Sequence, residues 1–170
     1  MNLFQSKLAR GLCMMVLAAT LAACGFHLRG SQGYNLPFHT IFLGFPANSP
    51  LGAELRRNLS GLDGLTVLST AKDAEAQVDV VSEMRGKTIL SLNAQGRVRE
   101  YLLTYNFVFK VRNAAGVELL GPTEIALKRN IAFNEDAVLA KESEETLLIR
   151  DMQSDLVQQI LRRLAAIKPL

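Results

Sequence analysis

The chain has no tryptophan and only two histidines and two cysteines in 170 residues. So few imidazoles and thiols form no cluster at metal-ligand spacing, and neither His27 nor His39 stands near a nucleophile motif that would use it as a base. A phosphate-cradling glycine loop is also missing, since Gly61-Leu62-Asp63-Gly64 is spaced as a turn. The carboxylates Glu142, Glu144, Glu145 and Asp151 lie as expected for a solvated helix face rather than a catalytic pair. These absences point away from an enzyme, with no catalytic residue, metal or cofactor expected. An excess of one charge is lacking too. Lys7 and Arg10 are the only charges in the first 23 residues, and beyond them seventeen basic residues face sixteen acidic ones. A nearly neutral chain gives no drive toward nucleic acid, whose binding rests on phosphate neutralisation.

What is present begins at the N-terminus. Lys7 and Arg10 make a basic lead, and Leu12 to Leu21 is apolar. That run is about ten residues, too short to span a bilayer, which takes about 20, but suited to the core of a cleavable signal. Leu21-Ala22-Ala23-Cys24 follows and matches a bacterial lipobox. Cleavage before Cys24 removes residues 1–23, Cys13 among them, and leaves Cys24 as the lipidation site. No thiol then remains for a disulfide. Resemblance to bacterial lipoproteins implies a diacylglycerol and an N-acyl chain on Cys24. A single chain holds a protein at a membrane only marginally, whereas several hold it durably. Gly25, in place of the aspartate associated with inner-membrane retention, implies the periplasmic face of the outer membrane.

Residues 24–37, with Gly25, Gly30, Gly33 and Pro37, read as a lipidated tether that adds at most an edge strand. Residues 38–170 read as one domain, long enough for a real core. Thr40 to Phe45 is a compact strand. Ser49-Pro50 announces a helix with a serine cap and proline at the first position, and Leu51, Leu55 and Leu59 give it one apolar face. Leu65 to Leu68 is a short strand. Ala76 to Leu92 is a long one, with Ala76, Val78, Val80, Ser82 and Met84 on the packed parity and a bulge or bend expected at Gly86. In Val98 to Arg112, six large side chains from Tyr101 to Val111 alternate strictly. After Asn113-Ala114-Ala115-Gly116 a further strand runs to Phe133, interrupted near Gly121-Pro122, with Arg129 intruding on its packed parity. A charge there lies beyond the core or has a partner. From about Val138 to Ile167 one helix carries Leu148, Met152, Leu156, Ile160 and Leu164 at four-residue steps. The expected fold is an α/β two-layer sandwich, with two helices packed on one face of a mixed, mostly antiparallel sheet with long strands.

Several short stretches resemble the LPS-assembly lipoprotein LptE family. They are Cys24-Gly25-Phe26-His27-Leu28-Arg29 after the lipobox, Glu100-Tyr101 opening the aromatic strand, Leu139-Ala140-Lys141 with its trailing acids, and Asp151-Met152 before the amphipathic part of the last helix. The resemblance implies a non-catalytic partner of the LptD outer-membrane β-barrel, acting as plug and assembly factor in lipopolysaccharide transport to the outer leaflet. A periplasmic scaffold or assembly lipoprotein of another envelope complex is the alternative that composition and fold also allow.

Lipopolysaccharide itself is a candidate ligand. Centring the two hairpin turns near residues 94 and 115 places Arg99 near Asn130 and Arg97 near Ala132. Arg97, Arg99, Lys128 and Arg129 then gather toward one end of the sheet, where Lys141 also returns, and such cations suit lipid A phosphates. Glu100, Glu135, Asp136 and Glu142 are near in sequence and equally able to neutralise them.

Overall fold

In the computed structural model, residues 34–168 are described; Cys24, the lipobox and the first part of the tether lie outside them. The expected sandwich is present. The chain runs β1 (Thr40–Gly44), α1 (Pro50–Ser60), β2 (Thr66–Leu68), β3 (Ala76–Leu92), β4 (Val98–Arg112), β5 (Glu118–Ala132), a 3-10 turn (Glu135–Ala137) and α2 (Val138–Ala165). The sheet order is β2-β1-β3-β4-β5. β1 is parallel to both of its neighbours, while β3, β4 and β5 form an antiparallel meander.

Local chemistry explains the elements. Ser49 Oγ accepts the Gly52 N–H at 3.1 Å, satisfying one of the donors a helix start leaves open, and Pro50 has no N–H to satisfy. Gly52 is where α1 presses on the chain leaving β1: a side chain there would place its first carbon 2.6 Å from Phe45 Cβ. Leu51, Leu55 and Leu59 are buried on the sheet. Both long hairpins turn on a glycine with positive φ, Gly96 at 74° and Gly116 at 83°, a conformation that favours residues without Cβ.

The core is densest at one end of the sandwich, with Leu103 and Ile131 continuing it toward the other. Phe107, Phe109 and Val111 of β4 are fully buried with Ile41, Val78, Leu55, Leu156 and Ile160. Phe107 stacks on Phe45 and on Phe109, with centroids 5.8 and 5.6 Å apart. In α2 every buried residue falls from Met152 onward, whereas Leu139 and Leu147, in its first half, are exposed. Glu54 ties the helices together, accepting from Gln153 at 2.6 Å and from Ser154 at 2.7 Å.

Two features of register differ from expectation. The irregularities in β3 lie between Val80 and Ser82 and again between Ile89 and Leu92, not at Gly86. Val81 is the extra residue, and beyond it the parity flips, so Met84 faces away from the helices and is 60% exposed rather than packed. Gly86 stays in register opposite Thr104, where a Cβ would meet Thr104 Oγ1 at 2.6 Å. In β5 the pairing slips between Phe109 and Arg112, around Gly121-Pro122. Proline cannot donate to the ladder and is accommodated at such an irregularity on an edge strand. The slip moves β5 past the simple turn-centred estimate. Glu100 pairs with Ala132, and Arg99 lies opposite Phe133, whose N–H it accepts at 2.8 Å, rather than near Asn130. Arg97 correspondingly does not face Ala132.

Candidate functional site

Because β3 flips at Val81, Glu83, Arg85 and Lys87 turn toward α2 in the end of the sandwich where the apolar core thins. Polar contacts hold that end together. Tyr105 donates its hydroxyl to Glu83 at 2.6 Å and accepts from Arg85 at 2.7 Å, while Arg85 also reaches Glu83 at 3.1 Å. Burial pushes the Tyr105 phenol well above its usual range, and donation to Glu83 raises it further, so it stays a neutral donor. Burial lowers the Arg85 guanidinium, but its hydrogen bonds to Tyr105 and Glu83 outweigh that and hold it above its ordinary value. Lys87 meets Glu145 of α2 at 2.5 Å and lies over the Tyr101 ring, 4.4 Å from its centroid. Between these groups and α2 is a cavity of about 190 Å³, with Leu103, Ile149 and Met152 among its apolar lining and Arg85, Lys87 and Glu145 at its polar side. Neither this flip nor the cation–aromatic contacts was expected from sequence; the only signal was Val80-Val81, two apolar residues where alternation demands one.

The five cations proposed for a phosphate ligand do not form one patch. Arg97 pairs with Glu135 at 3.1 Å, Lys141 with Glu144 at 2.7 Å and Arg129 with Asp155 at 2.5 Å. Arg129, charged on a packed parity, thus has the partner such a position requires. Arg99 and Lys128 make no ion pair among the described residues, but they lie on opposite faces of the sheet, since Arg99 shares the parity of Tyr101 while Lys128 is opposite Thr104. Arg97, Arg99 and the start of α2 do share one end, joined through Glu135 and through the edge-to-face contact of Tyr101 with Phe133 at 5.3 Å.

Among the described residues, no helix lies on the other face of the sheet. Along its long strands it presents Ser82, Thr88, Thr104, Asn106, Lys128 and Asn130, interrupted by Met84, Leu102 and Val108. At the near end Arg112 clamps Asp79 at 2.6 and 3.4 Å. Among the described residues no group of three or more His, Cys, Asp or Glu is arranged to hold a metal ion, and no helix is long and apolar enough to cross a membrane.

Comparison with known proteins gives a consistent result. The sequence model of the family described as LptE, lipopolysaccharide-assembly, matches residues 38–164. The chain is 26% identical over 161 residues to the LPS-assembly lipoprotein LptE of Pectobacterium atrosepticum, covering 94% of this chain and 84% of that one. To the protein of the same name from Photorhabdus laumondii it is 25% identical over 159 residues, covering 92% and 83%. The solution structure of uncharacterized lipoprotein B from Nitrosomonas europaea is similar at 41% identity and a TM-score of 0.72, covering 84% of this chain and 91% of that one. Rare lipoprotein B from Shewanella oneidensis, at 24% identity, shares the fold, with a TM-score of 0.65 over 75% of this chain and 94% of that one.

Proposed function

Since the chain belongs to the LptE family of lipopolysaccharide-assembly lipoproteins, we propose that it is held by lipid on Cys24 at the periplasmic face of the outer membrane and partners the LptD β-barrel there. Its role in this reading is that of plug and assembly factor, without catalysis. The observation that carries it is the sheet face left without a helix among the described residues, with its small polar residues, backed by a body whose thinner end adds polar contacts to the apolar core. The lumen of a large outer-membrane barrel is polar, which suits a body with a polar sheet face and mixed surface charge. Copurification of the lipidated chain with the barrel from outer membranes tests the partnership. A stable complex with a different envelope protein, and none with the barrel, would replace this partner by another assembly.

Direct contact with lipopolysaccharide belongs to the same proposal, at the end of the sheet where Arg97, Arg99 and the first turns of α2 meet. Reversing the charge at Arg97, Arg99 and Lys141 together is expected to weaken binding of purified lipopolysaccharide while the circular dichroism spectrum is unchanged. The difference between wild type and variant should shrink with added salt, because exposed charges are screened over about 8–10 Å near physiological ionic strength. Equal binding at low salt would leave Arg97 and Lys141 as partners of Glu135 and Glu144 only, with Arg99 a solvated charge.

A further inference from the structure

β3 is a central strand for only part of its length. β1 covers its outer edge from Ala76 to Asp79, and from Val80 to Leu92 no strand pairs with that edge among the described residues. The opposite edge of the sheet is β5, and the two are built differently. β5 carries Pro122 at an irregularity and the exposed polar residues Glu118, Glu124, Lys128 and Asn130, which are devices that stop a sheet from recruiting another strand. The open part of β3 has no proline, and along it stand Val81, Met84, Ile89, Leu90 and Leu92, from 45% to 60% exposed. Its own charges do not guard it, because Arg85 is drawn over the Tyr105 ring, 4.5 Å from the centroid, and Lys87 over Tyr101.

The exposed apolar side chains follow the strand and not one face of the sheet. Met84 lies opposite Asn106 on the bare face, whereas Ile89 lies opposite Tyr101 on the helix side. A flat apolar partner would reach one set only. An added strand reaches both, with its own alternating side chains, while its backbone satisfies the outward N–H and C=O groups. Between the irregularities at Val81 and Leu90 the pairing with β4 is regular from Ser82 to Ile89, a template of roughly 25 Å at about 3.3 Å per residue.

We infer that the open edge of β3 from Ser82 to Ile89 is a strand-addition site, completed by an extended, partly apolar segment of the barrel partner. The inference rests on the barrel reading above. The strands of a closed barrel have no free edge to offer, so the added strand comes from a loop or terminal segment of that partner.

Amide hydrogen exchange of the full lipidated chain, alone and copurified with the co-expressed barrel, tests this. In the chain alone the outward amides between Ser82 and Ile89 should exchange fast; in the complex they should slow by at least about tenfold, with β5 amides at Glu124 to Asn130 unchanged. Met84→Lys with Ile89→Lys should abolish that slowing and lower recovery of the complex, while the variant keeps the wild-type circular dichroism spectrum. Two results would overturn the inference with the barrel reading intact: a wild-type complex in which the segment still exchanges fast, or protection already complete in the chain alone, which would make an element of this chain the occupant. Failure of the wild-type chain to copurify with the barrel would remove the barrel reading and the proposed occupant together.

Discussion

Phe107→Ala is expected to destabilise the domain by about 3–5 kcal/mol, the range for truncating a fully buried aromatic ring. Phe107 is 0% exposed and stacked between Phe45 and Phe109, and on β3 and β5 it is flanked by Glu83 and Ile125. Asn106, one residue away, points to the bare face, and alanine there should cost no more than about 0.5 kcal/mol. Equilibrium urea unfolding of the unlipidated chain measures both. Equal losses at the two positions would mean that the alternation in β4 does not separate core from surface.

Cys24→Ala should have the largest effect on location. Each methylene of an acyl chain buried in the bilayer contributes about 0.8 kcal/mol, so losing several chains removes essentially all intrinsic membrane affinity. The variant is expected to lose acyl labelling and, without its partner, to leave the membrane fraction for the soluble periplasmic fraction. It should stay folded, because the core elements all begin at or after Phe38. Unchanged acyl labelling would contradict the assignment of Cys24 as the anchor.

These two predictions draw on the parts of the molecule most legible in sequence. Six large side chains in strict alternation identified β4, and the structure buries Leu103 through Val111 of that set at 2% or less. Ser49-Pro50 marked the start of α1, and the four-residue stripe from Met152 to Leu164 marked the packed half of α2. Each of these signals is local, contained within one element. The failures were nonlocal. A bulge at Val81 places an ordinary apolar residue where no glycine or proline announces it, while Gly86, which looked like the break, is small because Thr104 stands against it. Every residue from Ser82 to Ile89 then changes face, since a strand's side-chain period is two.

The cation cluster suffered from the same cause. Its geometry was built on hairpin centring, and the slip beside Gly121-Pro122 carried β5 out of that frame. Arg97 and Lys141 pair with acids close in sequence, Glu135 and Glu144, which the local sequence does signal. Asp155, the partner of Arg129, is 26 residues away in the chain and carried no such signal. The open edge of β3 was invisible for a further reason. It depends on how few residues of β1 pair with β3, a parallel contact between segments more than thirty residues apart.

In the reading proposed above, this chain serves lipopolysaccharide assembly as the partner of the outer-membrane barrel. The most direct measurement is depletion of the protein in its own cells, followed by the amount of correctly assembled barrel and of lipopolysaccharide at the cell surface, with the wild-type gene restored as control. The account predicts that both fall together, that the outer membrane admits large antibiotics it normally excludes, and that restoration reverses all three. Normal barrel assembly and normal surface lipopolysaccharide after full depletion would contradict it.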